Sequence, residues 1–464
     1  FRMILIKEVE NKIKFIKFLI LFFLLCTFFS CFNLTKNLNN DVVKIKDKND
    51  SLINKNSFVL SIKDTKTIYK NKIFYNNIKT FVCHKAEDEM SIPIINLKTN
   101  NKLIISFDDL DGDIKDYYYS IIHCDFNWYR SDLRKSEYIS GFFKNPIINF
   151  ESSFNTLENY THYSFEFPSL EMKPLISGNY IFEIYENEKI VAHKRFMVLD
   201  TKISIKANAK KATLAKFRNT KHEIDFKIIH PGLKIDNPFS QVKVSIKQNN
   251  SEIDEINNLQ PLFVKKDILD YNYDDGSNTF FGGNEFRNFD IRSLRFFSEK
   301  IRDISMDSNN YNVFLFNDKK RAFNYYSILP DLNGNYFIST QESVEPKIES
   351  EYPFVFFSLP IKKIQFGDVY ITGKFNDWQI KEENRMVYNK IKKQYEKKIQ
   401  LKQGYYNYSY AVYDSLTNFV DIQHIEGSYY QTKNDYFIYV YYKQINDSYD
   451  QLIGFLKISS KELF

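Results

Sequence analysis

Leu103-Ile104-Ile105-Ser106-Phe107 runs into Asp108-Asp109-Leu110-Asp111-Gly112-Asp113 and on to Tyr117-Tyr118-Tyr119-Ser120-Ile121-Ile122. β-Branched and aromatic residues favour a half-buried pleated surface, and an Asp/Gly cluster between two such runs marks a turn. The segment therefore reads as strand, acidic turn, strand. The pattern repeats outward from about Lys72, with turns every 8–12 residues, the signature of a sandwich or barrel. Ser177-Gly178-Asn179 feeds a strand from Tyr180 to Tyr185, and Arg195-Phe196-Met197-Val198 closes the unit near Asp200. No stretch holds helical periodicity beyond a turn or two. The expected class is all-β, with immunoglobulin-like β-sandwiches in tandem.

The boundaries expected from this pattern are an N-terminal sandwich over 71–200, a β-rich middle domain over 201–345 and an immunoglobulin-like domain over 346–464. Ile224 to Ile229 and Val242 to Ile246 read as early strands of the middle unit, with Asp331-Leu332-Asn333-Gly334 as its late hairpin turn. Phe354-Val355-Phe356-Phe357 opens the third unit.

Composition narrows the class. The 464 residues carry 64 Lys and Arg against 58 Asp and Glu, a net charge of +6. That is too balanced for a dedicated nucleic-acid binder, so no nucleic-acid partner is expected. Gly at 13 and Pro at 11 exclude collagen-like and Pro/Gly-rich chains, and 43% hydrophobic residues exclude global disorder.

Residues 1–30 read as a signal peptide. Lys7, Lys12, Lys14 and Lys17 form a basic region, and Phe18 to Phe29 an apolar one. That run is too short for a membrane span of about 20 residues. Ser30-Cys31 at its end resembles a bacterial lipobox, although Phe28 and Phe29 are bulkier than usual. Lipid attachment at Cys31 is the reading taken, with ordinary signal cleavage as the alternative. Residues 31–70 then form a polar tether. An outer-membrane barrel is disfavoured. Tyr406, Tyr408 and Tyr410 alternate as barrel strands do, but Ser459-Ser460-Lys461-Glu462-Leu463-Phe464 does not.

Chemistry-bearing patterns are few. Cys83 and Cys124 could pair in an oxidising compartment or sit as small core residues. Cys83-His84 and His123-Cys124 invite zinc, but neighbours on a strand face opposite ways. Asp109-Leu110-Asp111-Gly112-Asp113 resembles a calcium loop, yet Ile114 and Ser120 stand where an EF-hand needs Gly and Glu. No nucleophile elbow, zinc-protease pair or phosphate loop occurs, so no metal, no cofactor and no enzymatic activity are expected. Gly373-Lys374-Phe375-Asn376-Asp377-Trp378, then Met386 and Leu401-Lys402-Gln403-Gly404-Tyr405-Tyr406-Asn407-Tyr408, resembles immunoglobulin-like glycogen- and starch-binding modules. There Trp378 would stack on a sugar face, with Tyr395 where many such modules have a second Trp. The competing reading has Phe375 and Trp378 packing a sandwich corner.

Across about 75–455 the ordered segments resemble the plug protein family of the type IX secretion system of Bacteroidetes. They are Ser106 to Asp113, Tyr117-Tyr118-Tyr119, Ile122-His123-Cys124-Asp125 with Trp128, and Glu137 to Gly141. Ser153 to Leu157, Tyr160-Thr161-His162-Tyr163 and Ser177 to Tyr180 follow. Phe281-Gly282-Gly283-Asn284-Glu285-Phe286-Arg287, Phe289 to Arg295, Leu401 to Tyr408 and Tyr449 to Gly454 complete them. The resemblance implies a non-enzymatic periplasmic protein at the inner face of the outer membrane. Its partner would be the large outer-membrane β-barrel translocon, whose periplasmic opening it seals, with a lipid at Cys31 adding membrane association. Asn284, Glu285 and Arg287 either fix a turn through a buried polar network or reach that partner. Tyr405, Tyr406 and Tyr429 are an alternative contact surface. The other functional reading is a glycan-binding lipoprotein acting through Trp378.

Overall fold

Apolar residues at every second position bury one face of each strand, and sheets pair so that those faces meet. In the computed structural model, which describes residues 67–307 and 309–460, this happens three times. The chain is all-β with tandem β-sandwiches, and the helices among the described residues are single turns such as Lys135–Tyr138 and Gln423–Glu426. None is long and apolar enough to cross a membrane. The expected signal peptide, Cys31 and nearly all of the tether lie outside the described residues.

The first sandwich sets Ile78–Lys85, Leu103–Asp109, Thr161–Phe167 and Asn149–Ser152 against a sheet built on Tyr117–Cys124, Gly178–Glu186 and Lys189–Leu199. The expected strand, acidic turn, strand is present, but its two strands belong to different sheets. The acidic turn is therefore an arch across the sandwich, not a hairpin. Ile105, Phe107, Phe167, Phe182 and Phe196 fill the space between, with Phe182 stacked on Phe196 at 4.1 Å.

The middle sandwich departs from the expected boundaries. One sheet holds Ser204–Lys211, Lys221–Ile229, Ile268–Tyr271, Phe263–Lys265 and Thr279–Phe281. The other runs Glu255–Asn257, Val242–Gln248, Asp435–Tyr442, Gln451–Ser459, so half of it comes from the end of the chain. Val242 to Gln248 pair antiparallel with Tyr442 to Tyr436, and Tyr436, Ile438, Val440 and Ile453 join Ile224, Phe226, Val244 and Ile246 in one core.

The third sandwich is an insertion within the second. Its sheets contain Arg287–Asp290, Gly404–Asp414, Tyr336–Ile338, Asp368–Thr372 and Phe419–Asp421, facing Ile301–Met306, Tyr311–Leu315, Phe354–Leu359, Gln394–Gln400 and Val387–Asn389. Phe289, Ile291, Val313, Val355, Tyr406 and Tyr410 share its core. The division expected at 345/346 thus falls inside a single core. Asp331 to Gly334 is a turn, but no strand runs into it from 316–330, so it closes no hairpin. Alternation shows which face of a strand is covered; it does not show which segment covers it.

A chain ending at Asn434 lacks both closing strands of the middle sandwich. Limited proteolysis should then degrade 201–281 while the first sandwich persists. Survival of 201–345 as a resistant fragment would instead restore the linear boundaries.

Candidate functional site

Leu103–Asp109 ends in two adjacent carboxylates, both fully buried. Neighbouring strand residues face opposite ways, so each has its own partners. Asp108 receives the Lys402 ammonium at 2.6 Å and His162 Nδ1 at 2.6 Å, and the Tyr352 hydroxyl donates to it as well. Lys402 also donates to the Lys347 carbonyl at 2.5 Å and lies 4.3 Å from the Tyr160 ring centre. Burial works to raise the Asp108 carboxyl, but Lys402 and His162 outweigh it and hold the group below the usual carboxylate range. Asp108 and His162 belong to the first sandwich and Lys402 and Tyr352 to the third. Three of the sequence segments singled out above, around 106–113, 160–163 and 401–408, converge on this carboxylate.

A second joint binds the first sandwich to the middle one. Ile94, Phe126, Met197 and Leu199 pack against Phe437, Tyr439, Tyr441 and Leu452. Around this patch Tyr441 donates to Asn179 Oδ1 at 2.8 Å, and Asp450 accepts from the Phe126 amide at 3.0 Å and from Lys243 at 2.9 Å. Gly178 has φ +143°, and a Cβ there would lie 2.5 Å from His123 Nε2 and 3.0 Å from the Asp450 carbonyl oxygen. The close approach at this joint needs glycine.

A third cluster contains the motif residues Asn284, Glu285 and Arg287. Arg287 grips Glu426 through Nε and Nη2, both at 2.9 Å, reaches Asp318 at 2.8 Å and donates to the Lys319 carbonyl at 2.7 Å. Arg321 adds a second guanidinium to Glu426 at 2.7 Å, and the Asn284 amide donates to the Glu426 carbonyl at 2.9 Å. Burial opposes ionisation of Glu426, yet Arg287 and Arg321 prevail and its carboxyl sits at about 2. Glu285 is buried and accepts from the Tyr326 hydroxyl and the Lys433 amide. Gly282 passes so near Tyr429 that a Cβ would lie 2.0 Å from its carbonyl oxygen.

These groups clamp an irregular segment, 316–330. The Arg321 and Ala322 amides donate to the Ile425 carbonyl, and Tyr429 donates to the Asn324 carbonyl at 2.6 Å. Between the clamps, large apolar side chains face solvent. Phe323 is 97% exposed and Tyr325 101%, and Phe316, Ile328 and Leu329 are exposed as well.

Of the sequence-derived interface residues, Asn284, Glu285 and Arg287 thus form the buried network that fixes a turn. Tyr406 is buried, donating to the Lys402 carbonyl, and Tyr405 is half-buried and stacked on Phe337 at 5.8 Å. Tyr429 supports the 316–330 segment. Trp378 corrects the sugar-stacking expectation: it is only 4% exposed, packed on Phe286 and Gly334. A ring covered on its flanks cannot lie flat on a sugar. Tyr395 is buried too, its hydroxyl accepting from the Ile364 amide. Cys83 and Cys124 are free and buried in opposite sheets of the first sandwich, and burial pushes the Cys83 thiol up to about 12. The carboxylates of Asp109, Asp111 and Asp113 do converge, but the Lys115 ammonium sits among them, 2.8 Å from Asp109 and 3.5 Å from Asp113. A cation of the chain itself fills the place the calcium reading gave to an ion.

With this geometry established, comparison with known proteins supplies the class. Residues 78–200, the first sandwich, match the family described as the type 9 secretion system plug protein 1st domain. A crystal structure of a hypothetical protein from Parabacteroides merdae superposes with a TM-score of 0.83 at 30% identity, covering 85% of this chain and 100% of that one. A DNA-bound alkylpurine DNA glycosylase from Pseudomonas fluorescens gives a TM-score of 0.15 at 10% identity over 26% of this chain and 30% of that one. No curated protein matches. The chain is a tandem β-sandwich protein of the secretion-associated class. By the match over its first sandwich it belongs to the type IX secretion system plug protein family. Membership carries association with components of that system and a location in the periplasm or at the outer membrane.

Two outcomes follow. Lys402→Met leaves Asp108 buried without its ammonium and should lower stability by roughly 3–5 kcal/mol in urea unfolding. Adding Asp108→Asn should recover part of the loss, and a change in the single variant within measurement error would refute the joint. The second concerns pH. Glu426 titrates at about 2 when folded, against an ordinary value of 4.5. The unfolded chain therefore takes up this proton first as pH falls. The stability supplied by the Arg287 and Arg321 pairs is fully present above about pH 5 and drains away between the ordinary carboxylate value and about 2. Glu426→Gln should flatten that limb of the stability profile.

Proposed function

We propose that the protein is a non-enzymatic plug that seals the periplasmic opening of the type IX secretion translocon barrel, and that segment 316–330 is its contact with that barrel. The observation behind this reading is the set of exposed side chains Phe316, Phe323, Tyr325, Ile328 and Leu329 on a segment clamped by Arg287, Glu426 and Tyr429. Five exposed large apolar side chains on one short segment offer a partner a surface to cover, and aromatic anchors carry interface energy well. The clamp holds these side chains outward before any partner arrives, which lowers the ordering entropy of docking. A wide pore leaks small molecules unless closed, and sandwiches joined through buried ion pairs make a rigid stopper. A lipid at Cys31 would hold the protein at the inner face of the outer membrane and raise its local concentration at the pore.

Affinity capture from detergent-solubilised envelopes, with mass spectrometry of the partners, tests both parts. The wild-type chain should recover a very large β-barrel protein at near-equal amounts. Phe323→Asp with Tyr325→Asp should cut that recovery about tenfold or more while thermal unfolding stays unchanged. Undiminished recovery would refute the segment as the contact. Absence of the barrel from the wild-type sample would refute the plug.

A further inference from the structure

Where the three sandwiches meet they enclose a cleft of about 990 Å³. This lies at the upper end of small-molecule sites, which run to roughly 1,000 Å³. All three units supply its walls. Lys194, Arg195 and Trp128 come from the first, Lys247 and Glu252 from the middle, and Lys374, Asp377 and Trp378 from the third.

At its inner end four cations, Lys194, Arg195, Lys247 and Lys374, meet three carboxylates, Glu252, Glu255 and Asp377. Asp377 is shared between Lys194 at 3.0 Å and Lys374 at 3.6 Å. Arg195 is taken by Glu252 and lies 4.2 Å from the Trp128 ring centre. Lys247 reaches Glu255 only at 3.6 Å. Lys374 is left with part of one carboxylate, and burial with Lys194 and Lys247 nearby pushes its ammonium below the ordinary lysine range. Beside it, Trp378 is 4% exposed and its indole N–H has no acceptor among the described residues. A buried donor without an acceptor is costly, and a half-buried ammonium that shares its carboxylate with a second lysine is poorly compensated. An anion in the cleft would compensate the ammonium.

Toward Leu170 the cleft is open, and its exposed apolar side chains stand among Glu89, Glu166 and Glu171. Leu170 is 92% exposed, Ile148 81% and Met90 44%, and all three line it with Ile92 and Phe165. A buried cationic region continuous with an exposed apolar one matches a molecule built the same way.

We infer that the cleft binds an anionic amphiphile, a carboxylate or phosphate monoester on a single hydrocarbon chain, with its head group at Lys374 and its chain along Ile148 and Leu170. This site is separate from segment 316–330 and does not depend on the plug reading. The ligand contacts all three sandwiches at once, so its binding would hold their junction together.

The chain has two tryptophans, Trp128 and Trp378, and both line the cleft, so intrinsic fluorescence reports on it directly. The full-length protein is titrated below micelle-forming concentrations with hexadecanoate, 1-hexadecanoyl lysophosphatidate and neutral 1-hexadecanoylglycerol. Native mass spectrometry counts bound molecules. A saturable change with one bound molecule is expected for at least one anion, at least tenfold tighter than for the neutral lipid. Response to the carboxylate alone, the phosphate alone or both would each support the site and identify the head group. Lys374→Met should weaken binding about tenfold, equivalent to about 1.4 kcal/mol. Leu170→Asp, at a position too exposed to disturb folding, should weaken it similarly. No one-to-one complex with either anion, equal binding of the neutral lipid, or binding unchanged in both variants would overturn the proposal.

Discussion

Lys402 and Asp108 form an ion pair with almost no contact with solvent, and its two halves belong to different sandwiches. Taking either charge out of water is unfavourable by several kcal/mol, and only the partner offsets it. The pair can thus be satisfied in one relative placement of the first and third units, with His162, Tyr352 and the Lys347 carbonyl completing the donors and acceptors. An apolar contact of equal area would tolerate sliding; a buried ion pair does not. The apolar patch around Tyr441 fixes the first unit to the middle one, and the insertion ties the middle unit to the third. The three sandwiches therefore meet pairwise, and the cleft at their junction owes its walls to that closure.

This changes the meaning of the sequence segments through which the chain resembles its family. Asp108, His162, Asn179, Glu285, Arg287, Lys402 and Asp450 lie in those segments, and each is buried and committed to a partner elsewhere in the chain. They are joints. The surface they produce, the exposed side chains of 316–330, lies outside all of them. The segments that carry the family resemblance thus build the frame on which 316–330 is held.

How much could be read beforehand follows the same division. Strands such as Leu103–Asp109 and Phe354–Leu359 were legible because alternation of β-branched and aromatic residues is a local signal. The partner of Val242–Gln248 was not, since its hydrogen-bonded neighbour Asp435–Tyr442 comes so much later in sequence; Gln248 reaches the Tyr436 hydroxyl across 188 residues. Arg287 as a turn-fixing network residue and Trp378 as corner packing were readings open in the sequence, and burial decides for both. Lys402 gave no sign of its role, because a lysine in a polar, aromatic stretch reads as solvated until the opposite sandwich is in place. Segment 316–330 has neither period, so its apolar residues could not be assigned to core or surface. Its one local sign is the density of aromatics among Lys319, Lys320 and Arg321.

The insertion also bears on how the molecule assembles. Val242–Gln248 must wait for Asp435–Tyr442, and an unstructured connection between them would carry a large closure entropy. The third sandwich removes part of it. Once folded, it brings its own ends together, with Asn284 donating to the Glu426 carbonyl at 2.9 Å across a separation of 142 residues. Closure entropy grows with the logarithm of loop length, so shortening the connection from 188 residues to about 46 saves on the order of 1 kcal/mol. In folding terms the inserted sandwich is a clasp: once formed, it holds the last two strands nearer the sheet they complete.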